Sequence, residues 1–318
     1  MQIFTRAQEA ELITAIQGRG EIPLKFVYLG EKGAFNWDKI AQVRSGASGG
    51  INSQEGRLLE EKMSAFLDAL PKNLEKINLI DIGCGNGYPV FPILRALKGR
   101  KMSFRYVPLD ISGEMISRAV KNIKKEFGSL QHKDILFDVE QGNFANIAYN
   151  LKSDGSYNLF VYLGSTLGNQ PDMNRVLSNF RDSMDANDYM LIGVQLNNLA
   201  KIDGMLSHYD VKFTSDFLYY IPEAIGIKKM GTEYSAIWNE QKNQVEIRIM
   251  LKNSQKVRIG QHSFTLNKNE RLFISRSVKF TSWTLTKLLT DVGFRTEILA
   301  TDKSNTYTLS MVQPTRFV

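Results

Sequence analysis

Cysteine is almost absent from this 318-residue chain, and the one present is Cys84. A disulfide framework is therefore excluded, and the thiol content suits a reducing, cytoplasmic setting. Histidine is scarce too. His132, His208 and His262 are scattered without ligand spacing, so no metal site is expected. No apolar run approaches the length that spans a bilayer, and residues 1–11 are polar and amphipathic, unlike a signal peptide. Internal repeats and low-complexity linkers are also missing. Basic residues outnumber acidic ones, 40 to 33, giving a net charge of +7, which can mark a nucleic-acid binder. Here the excess is dispersed: Lys121, Lys124 and Lys125 share a helical stretch with Glu126, and no basic run is interleaved with aromatics. These read as solvated helix faces, so neither nucleic acid nor membrane is an expected partner. The hydrophobic content of 43% is that of an ordinary globular protein, long enough for one large domain or two modest ones.

The most informative stretch is 79–88. Residues 79–82 form a short apolar run, as in a buried parallel strand. Gly83, Gly85 and Gly87 then permit a tight turn and a close approach of backbone to ligand. Pro89 stands near the start of a following helix, where its missing N–H costs nothing. Asp110 ends the next strand, where a carboxylate can grip ribose hydroxyls. A dinucleotide fingerprint requires G-x-G-x-x-G/A. Counting from Gly83 the third position is Tyr88, and from Gly85 it is Val90, so that pattern fails in both registers. G-x-G-x-G after a strand ending near Asp81 suits a nucleoside cofactor without phosphates, such as S-adenosylmethionine.

Around this motif strands and helices alternate. Strands are expected at 77–82, 104–109, 135–139, 157–163 and 189–195, and helices at 7–17, 54–69, 89–98, 113–127 and 172–185. Met115, Ala119, Ile123 and Phe127 form one stripe, with Ser112 as the cap. Such alternation implies a parallel sheet covered by helices, with ligands at the C-terminal strand ends. Residues 42–52 have the composition of a mobile lid. Beyond about 197 the pattern changes to a helical, aromatic-rich stretch (211–227) and then strand-like runs at 232–239, 244–252, 255–259, 262–266 and 271–280, with a hairpin turn at 239–243. A helix at 282–292 and strands at 294–300 and 306–312 resume the first sheet.

Three further segments could carry chemistry. In 141–144, Asn143 offers an amide to an adenine amino group and Phe144 a ring to pack on the base, or else the segment is a turn with a buried Phe. In 163–169, Gly164 and Gly168 flank small hydroxyl residues before Asn169, which could hold an amine and a carboxylate or could simply cap the next helix. In 273–280, Ser275, Ser277 and Lys279 alternate onto one face, ligand-facing or solvent-facing.

Residues 162–169 (Tyr-Leu-Gly-Ser-Thr-Leu-Gly-Asn), 106–112, 25–28, 256–260 and 277–281 together resemble the ergothioneine-pathway histidine N-alpha-methyltransferases, across nearly the whole chain. The resemblance implies a Rossmann-like class I S-adenosylmethionine-dependent methyltransferase core of the α/β class at 56–197 and 282–318. It also implies an inserted α+β substrate domain at 198–281 and a helical and lid segment at 1–55 packing on the core. It gives the cofactor to Tyr28, Asp81, Gly83, Gly85, Gly87, Asp110, Ile111, Asn143, Phe144 and Gly164, and the acceptor to Asn169, Tyr209, Ser275 and Ser277, with Tyr28 and Asn169 nearest the reacting amine. Four positions depart from the family. Ser275 and Ser277 stand where histidine enzymes place a Glu and a Ser, and Asn143 replaces an Asp at the adenine. No Lys follows the glycine loop near Pro89, and the stretch 45–50 replaces a lid Tyr. The expected activity is N-methylation of the α-amine of an amino acid or derivative other than plain histidine. The alternatives are another small-molecule amine or a non-catalytic S-adenosylmethionine-binding subunit. A nucleic-acid methyltransferase is disfavoured, because its Pro-Pro-aromatic tetrapeptide after the fourth strand is replaced by residues 163–166.

Overall fold

The computed structural model describes residues 3–46, 51–71, 76–198 and 202–315. In chain order its elements are α1 (Arg6–Arg19), α2 (Gly30–Gly46), α3 (Ile51–Asp68), β1 (Lys76–Ile82), α4 (Phe91–Gly99), β2 (Ser103–Asp110), α5 (Gly113–Phe127), β3 (Ile135–Leu136), α6 (Ala145–Leu151), β4 (Tyr157–Tyr162), α7 (Met173–Arg181) and β5 (Tyr189–Gln195). There follow α8 (Ile202–Ser207), α9 (Lys212–Leu218), α10 (Tyr220–Ala224), β6 (Thr232–Asn239), β7 (Gln244–Leu251), β8 (Gln255–Ile259), β9 (His262–Leu266), β10 (Arg271–Val278), α11 (Ser282–Asp291), β11 (Phe294–Thr301) and β12 (Tyr307–Pro314). They form two compact units, 1–40 with 198–278 and 41–197 with 279–318.

The larger unit is built on a sheet that, among the described residues, has seven strands in the order β11-β12-β5-β4-β1-β2-β3. Pairings β1·β2, β1·β4, β2·β3 and β4·β5 are parallel, while β12 is antiparallel to both β5 and β11. This is a mostly parallel, Rossmann-like α/β sheet. The chain runs outward from β1 to β3, then returns to the other side of β1 with β4. That reversal opens a crevice beyond the C-terminal ends of β1 and β4, where open α/β sheets take their ligands. The helices form for the reasons legible in the sequence: Ser112 accepts from the Met115 N–H at 3.4 Å at the start of α5, whose Met115, Ile116, Ala119 and Ile123 are buried. On β1 the two amide hydrogens of the buried Asn78 side chain are shared among Leu151 O, Ser156 Oγ and Asn158 Oδ1, all within 3.0 Å of its nitrogen, and its oxygen accepts from Arg105.

Some element bounds differ from expectation. The third strand stops at Leu136 rather than 139, because Asp138 turns the chain: its carboxylate accepts the Glu140 N–H and its carbonyl the Gly142 N–H. The last helix before β5 ends at Arg181 rather than 185. The aromatic-rich helix at 211–227 is two short helices meeting at Tyr219. The expected lid at 42–52 lies partly outside the described residues (47–50), and 42–46 and 51–52 are helical backbone of α2 and α3.

The smaller unit contains the antiparallel sheet β10-β7-β6 and the hairpin β8-β9. Residues 1–40 group with this inserted segment, whereas the sequence suggested one N-terminal unit, 1–55, lying on the core. Backbone pairing explains the grouping: the Ile22 N–H donates to Phe273 O and the Phe273 N–H to Gly20 O, beside a 2.6 Å Arg276–Glu21 ion pair. No helix among the described residues is long and apolar enough to cross a membrane.

Candidate active site

The glycine loop leaves β1 and is tied at once to the tip of β2, where Leu109 O accepts from the N–H groups of Gly83 and Cys84. Gly83, Gly85 and Gly87 all have positive φ. The need for glycine is sharpest at Gly87 (φ +80°), where a Cβ would stand 3.1 Å from both Cα and Cβ of Ala119 on α5. Gly87→Ala combines left-handed strain with overpacking, each costing about 1–3 kcal/mol. It is expected to lower the midpoint of thermal unfolding by several degrees, and an unshifted midpoint would show that α5 yields freely. Cys84 is buried in the loop, and its thiol is pushed well above the ordinary range by burial and by the neighbouring charges of Asp110 and Asp81. It is a filler and not a nucleophile.

Two candidate acids converge on this loop. Asp110 closes β2 and is 8% exposed; its Oδ2 accepts the Gly85 N–H at 3.2 Å and its Oδ1 the Ser112 N–H at 3.0 Å. Burial raises its pKa to about 6 despite those bonds. Asp81, 4% exposed, accepts from the Tyr106 hydroxyl at 2.8 Å. Burial pushes it to about 7, with Asp110 adding like-charge repulsion. A third acid, absent from the sequence-derived site, belongs to the same cluster. Glu55 on α3 is buried, bonds the Gly164 N–H and is raised to about 7 by burial, with a further push from Asp81. In the sequence it is one charged residue at the start of an otherwise apolar helix stripe, which carries no functional signal. All the hydrogen bonds described on these three carboxylates come from neutral donors.

The turn after β4 lines the other side of the crevice. Gly164 and Ser165 are both left-handed (φ 70° and 58°), and a short 3-10 turn at Thr166–Asn169 follows. Thr166 Cγ2 lies 3.6 Å from where a Gly83 Cβ would stand, so the turn touches the glycine loop. The cap of α7 is Asp172, which accepts the Arg175 N–H at 2.9 Å, and the cap role weighed for Asn169 therefore falls to another residue. Asn169 itself is half-buried.

Where the sequence led us to expect the adenine, the structure assigns Phe144 differently from the ring-packing expectation. Phe144 is 0% exposed and its ring packs on Phe137, Phe160 and Phe180 with centroids 5.3, 5.9 and 5.8 Å away. The ring belongs to the core, which leaves only the backbone of Phe144 for a base. Asn143 is exposed, and its side-chain oxygen accepts the Ala145 N–H at 2.8 Å. Ile111, between Asp110 and Ser112, is half-buried.

The remaining candidates sit in the smaller unit. Tyr28 ends a 3-10 turn and packs against Trp37 and Phe217, both with centroids 5.5 Å away. Ser275 and Ser277 are buried, 7% and 6% exposed, and do not form a solvent face. A bulge between Phe273 and Ser275 shifts β10 so that Ser275 pairs with Ile247 and Ser277 with Val245, which in turn oppose Ala236 and Trp238 on β6. Paired residues share a sheet face. Tyr234 lies on that same face, and its hydroxyl donates to the Tyr209 carbonyl at 2.7 Å. Tyr209, Ser275 and Ser277 are thus gathered about one face of one small sheet. Strand β10 ends at Val278, so Lys279 falls outside the run expected to reach 280; Phe280 bridges Leu196 instead.

The model of the family "Histidine-specific methyltransferase, SAM-dependent" matches residues 9–314. The chain belongs to this family. It is 24% identical over 245 residues to a histidine N-alpha-methyltransferase of Mycobacterium tuberculosis (strain CDC 1551 / Oshkosh), covering 73% of this chain and 74% of that one. It is also 22% identical over 270 residues to the N-methyltransferase imqF of Aspergillus flavus (strain ATCC 200026 and synonyms), covering 80% and 71%. Among solved structures, the citrinin polyketide synthase CMeT domain superposes with a TM-score of 0.52 at 13% identity, covering 97% of this chain and 65% of that one, which shows the shared fold. The protein is therefore an S-adenosylmethionine-dependent methyltransferase of the N-methyltransferase family. The three buried acids, whose hydrogen bonds among the described residues come from neutral donors, are chemically compatible with a cationic ligand such as this cofactor.

Proposed function

We propose that this methyltransferase acts on the α-amine of an amino acid or a close derivative whose side chain is not the imidazole of histidine. The observation supporting the reading is the Thr166–Asn169 turn, whose Thr166 meets the glycine loop at the reversal point of the sheet while Asp172, and not Asn169, serves as the helix cap. Bound S-adenosylmethionine supplies an electrophilic methyl group. The chain's own residues have little acid-base work to do. Asp110 holds the ribose, the glycine loop admits the cofactor backbone-close, and Asn169 orients the amine with its lone pair toward the methyl group. Such alignment in a dry site supplies on the order of 7–11 kcal/mol of the barrier reduction. The acceptor must reach the site as the free amine, so the rate is expected to rise with pH.

From the unit of residues 1–40 and 198–278 we assign Tyr28 to the reacting amine, Tyr209 to the acceptor's carboxylate, and Ser275 and Ser277 to its side chain. The buried Trp238 indole N–H, on the sheet face of Ser277, has no hydrogen-bond partner among the described residues. Two hydroxyls and an indole donor suit a neutral side chain with a hydrogen-bond acceptor. They do not suit a cationic ring, for which a carboxylate would be expected.

A screen of the twenty amino acids and related amines with isotope-labelled cofactor, read by mass spectrometry, tests the reading; labelling confined to non-amino-acid amines would overturn it. With the acceptor in hand, Asn169→Ala is expected to raise its KM and lower kcat, reducing kcat/KM about 10- to 100-fold, the equivalent of one strong hydrogen bond. Unchanged kinetics would remove Asn169 from the site.

A further inference from the structure

Glu55 is the odd residue of its helix. Leu58, Leu59, Met63, Phe66 and Leu67 of α3 are buried apolar core, yet Glu55 is buried among them at 1% exposed. An acid in that position is costly unless something uses its oxygens. Both do work: each stands 3.0 Å from the Gly164 nitrogen, 109 residues away in sequence. The Tyr307 hydroxyl of β12 is buried close to the same carboxyl, without a hydrogen-bond partner among the described residues. Strand β5 makes room for this pair with a glycine, since a Cβ on Gly193 would stand 2.6 Å from the Tyr307 oxygen and 2.9 Å from Glu55 Oε1. Three elements thus converge beneath one turn, and that turn is strained. Gly164 and Ser165 are consecutive left-handed residues, and Ser165 adopts that conformation with a side chain.

We infer that Glu55 is a positioning residue of the methyl-transfer site: it clamps the Gly164–Ser165 turn through the Gly164 N–H, and so sets both the Thr166 wall that meets the glycine loop and the placement of Asn169. The Thr166 half depends only on the family's cofactor; the Asn169 half rests on the acceptor reading proposed above.

Calorimetric titration with S-adenosylhomocysteine tests the clamp without any acceptor, so its failure is distinct from a failure of the amine screen. Glu55→Ala is expected to weaken binding at least tenfold. Glu55→Gln retains an oxygen for the Gly164 N–H and is expected to stay within about threefold of the parent. Tyr307→Phe, which removes a neighbouring hydroxyl that makes no hydrogen bond among the described residues, is the packing control and is expected to bind like the parent. Rescue by glutamine separates a clamp from a generic packing role. Should Glu55→Ala fail to fold, Glu55→Leu, which keeps the bulk and loses both oxygens, takes its place. Parent-like affinity in the variant lacking the oxygens, or a Glu55→Gln protein that loses affinity by tenfold, would overturn the inference.

Discussion

Asp110→Ala is expected to bind S-adenosylhomocysteine at least about 100-fold more weakly than the parent protein. In the structure the carboxylate accepts the Gly85 and Ser112 N–H groups, joining the glycine loop to the start of α5; in the proposed reading its remaining lone pairs serve the ribose. Alanine removes the charged acceptor and leaves two backbone donors without it. Hydrogen bonds to a charged group are worth about 1.5–3 kcal/mol each, so losing two to the ribose alone reaches the 100-fold level. Asp110→Asn keeps the shape and one acceptor oxygen and is expected to fall between parent and alanine. Calorimetry measures both, with thermal unfolding as the control for folding. An alanine variant within fivefold of the parent would show that the ribose is held elsewhere.

The ligand-free protein is expected to lose stability as pH rises from 5 to 8, on the order of 5 kcal/mol in total. Glu55 and Asp81 titrate at about 7 in the fold and Asp110 at about 6, because burial disfavours their charged forms. Unfolded, the same groups release their protons near pH 4. Between those values the folded chain holds more protons than the unfolded one, so stability falls with rising pH and levels off once the folded acids have ionised. Asp188, also raised by burial, adds in the same direction. Asp154, Asp185, Glu246 and Asp302 are lowered, so they titrate below this window in both states. In a chain of this size the effect is about 10 °C in the unfolding midpoint. Asp81→Asn and Glu55→Gln should each remove their share of the slope. S-adenosylmethionine, whose sulfonium favours the ionised acids, should stabilise more at pH 8 than at pH 5, and more steeply than neutral-sulfur S-adenosylhomocysteine. A midpoint that is flat or rising over this range would refute the assignment of buried, protonated acids.

The core was largely legible because its signals are local. A run such as 79–82 followed by three glycines identifies a strand tip, and Asp110 follows at the end of the next strand. The alternation of strands and helices then dictates which tips meet. What stayed hidden depends on contacts far apart in sequence. Glu55 meets Gly164 across 109 residues, and nothing in its neighbours announces that meeting. Phe144 looked available to a base because a turn precedes it, yet Phe160 and Phe180, from β4 and α7, close over its ring. The N-terminal residues could not be assigned to the inserted segment from sequence, since their attachment runs through backbone pairing at Ile22 and Phe273, which is blind to side-chain identity.

The place where the inserted segment departs and returns has an evolutionary consequence. Leu196 and Phe280 bridge each other, the Asn197 N–H donates to Phe280 O, and the Phe280 N–H donates to Gln195 O. The two ends of an 80-odd-residue excursion are thereby stapled side by side at the end of β5, an interior strand of the sheet. Because both ends are held by backbone bonds, substitutions, bulges and even length changes within the excursion need not disturb the sheet it leaves and rejoins. A lineage can thus rewrite the insert while inheriting the sheet and its glycine loop unchanged.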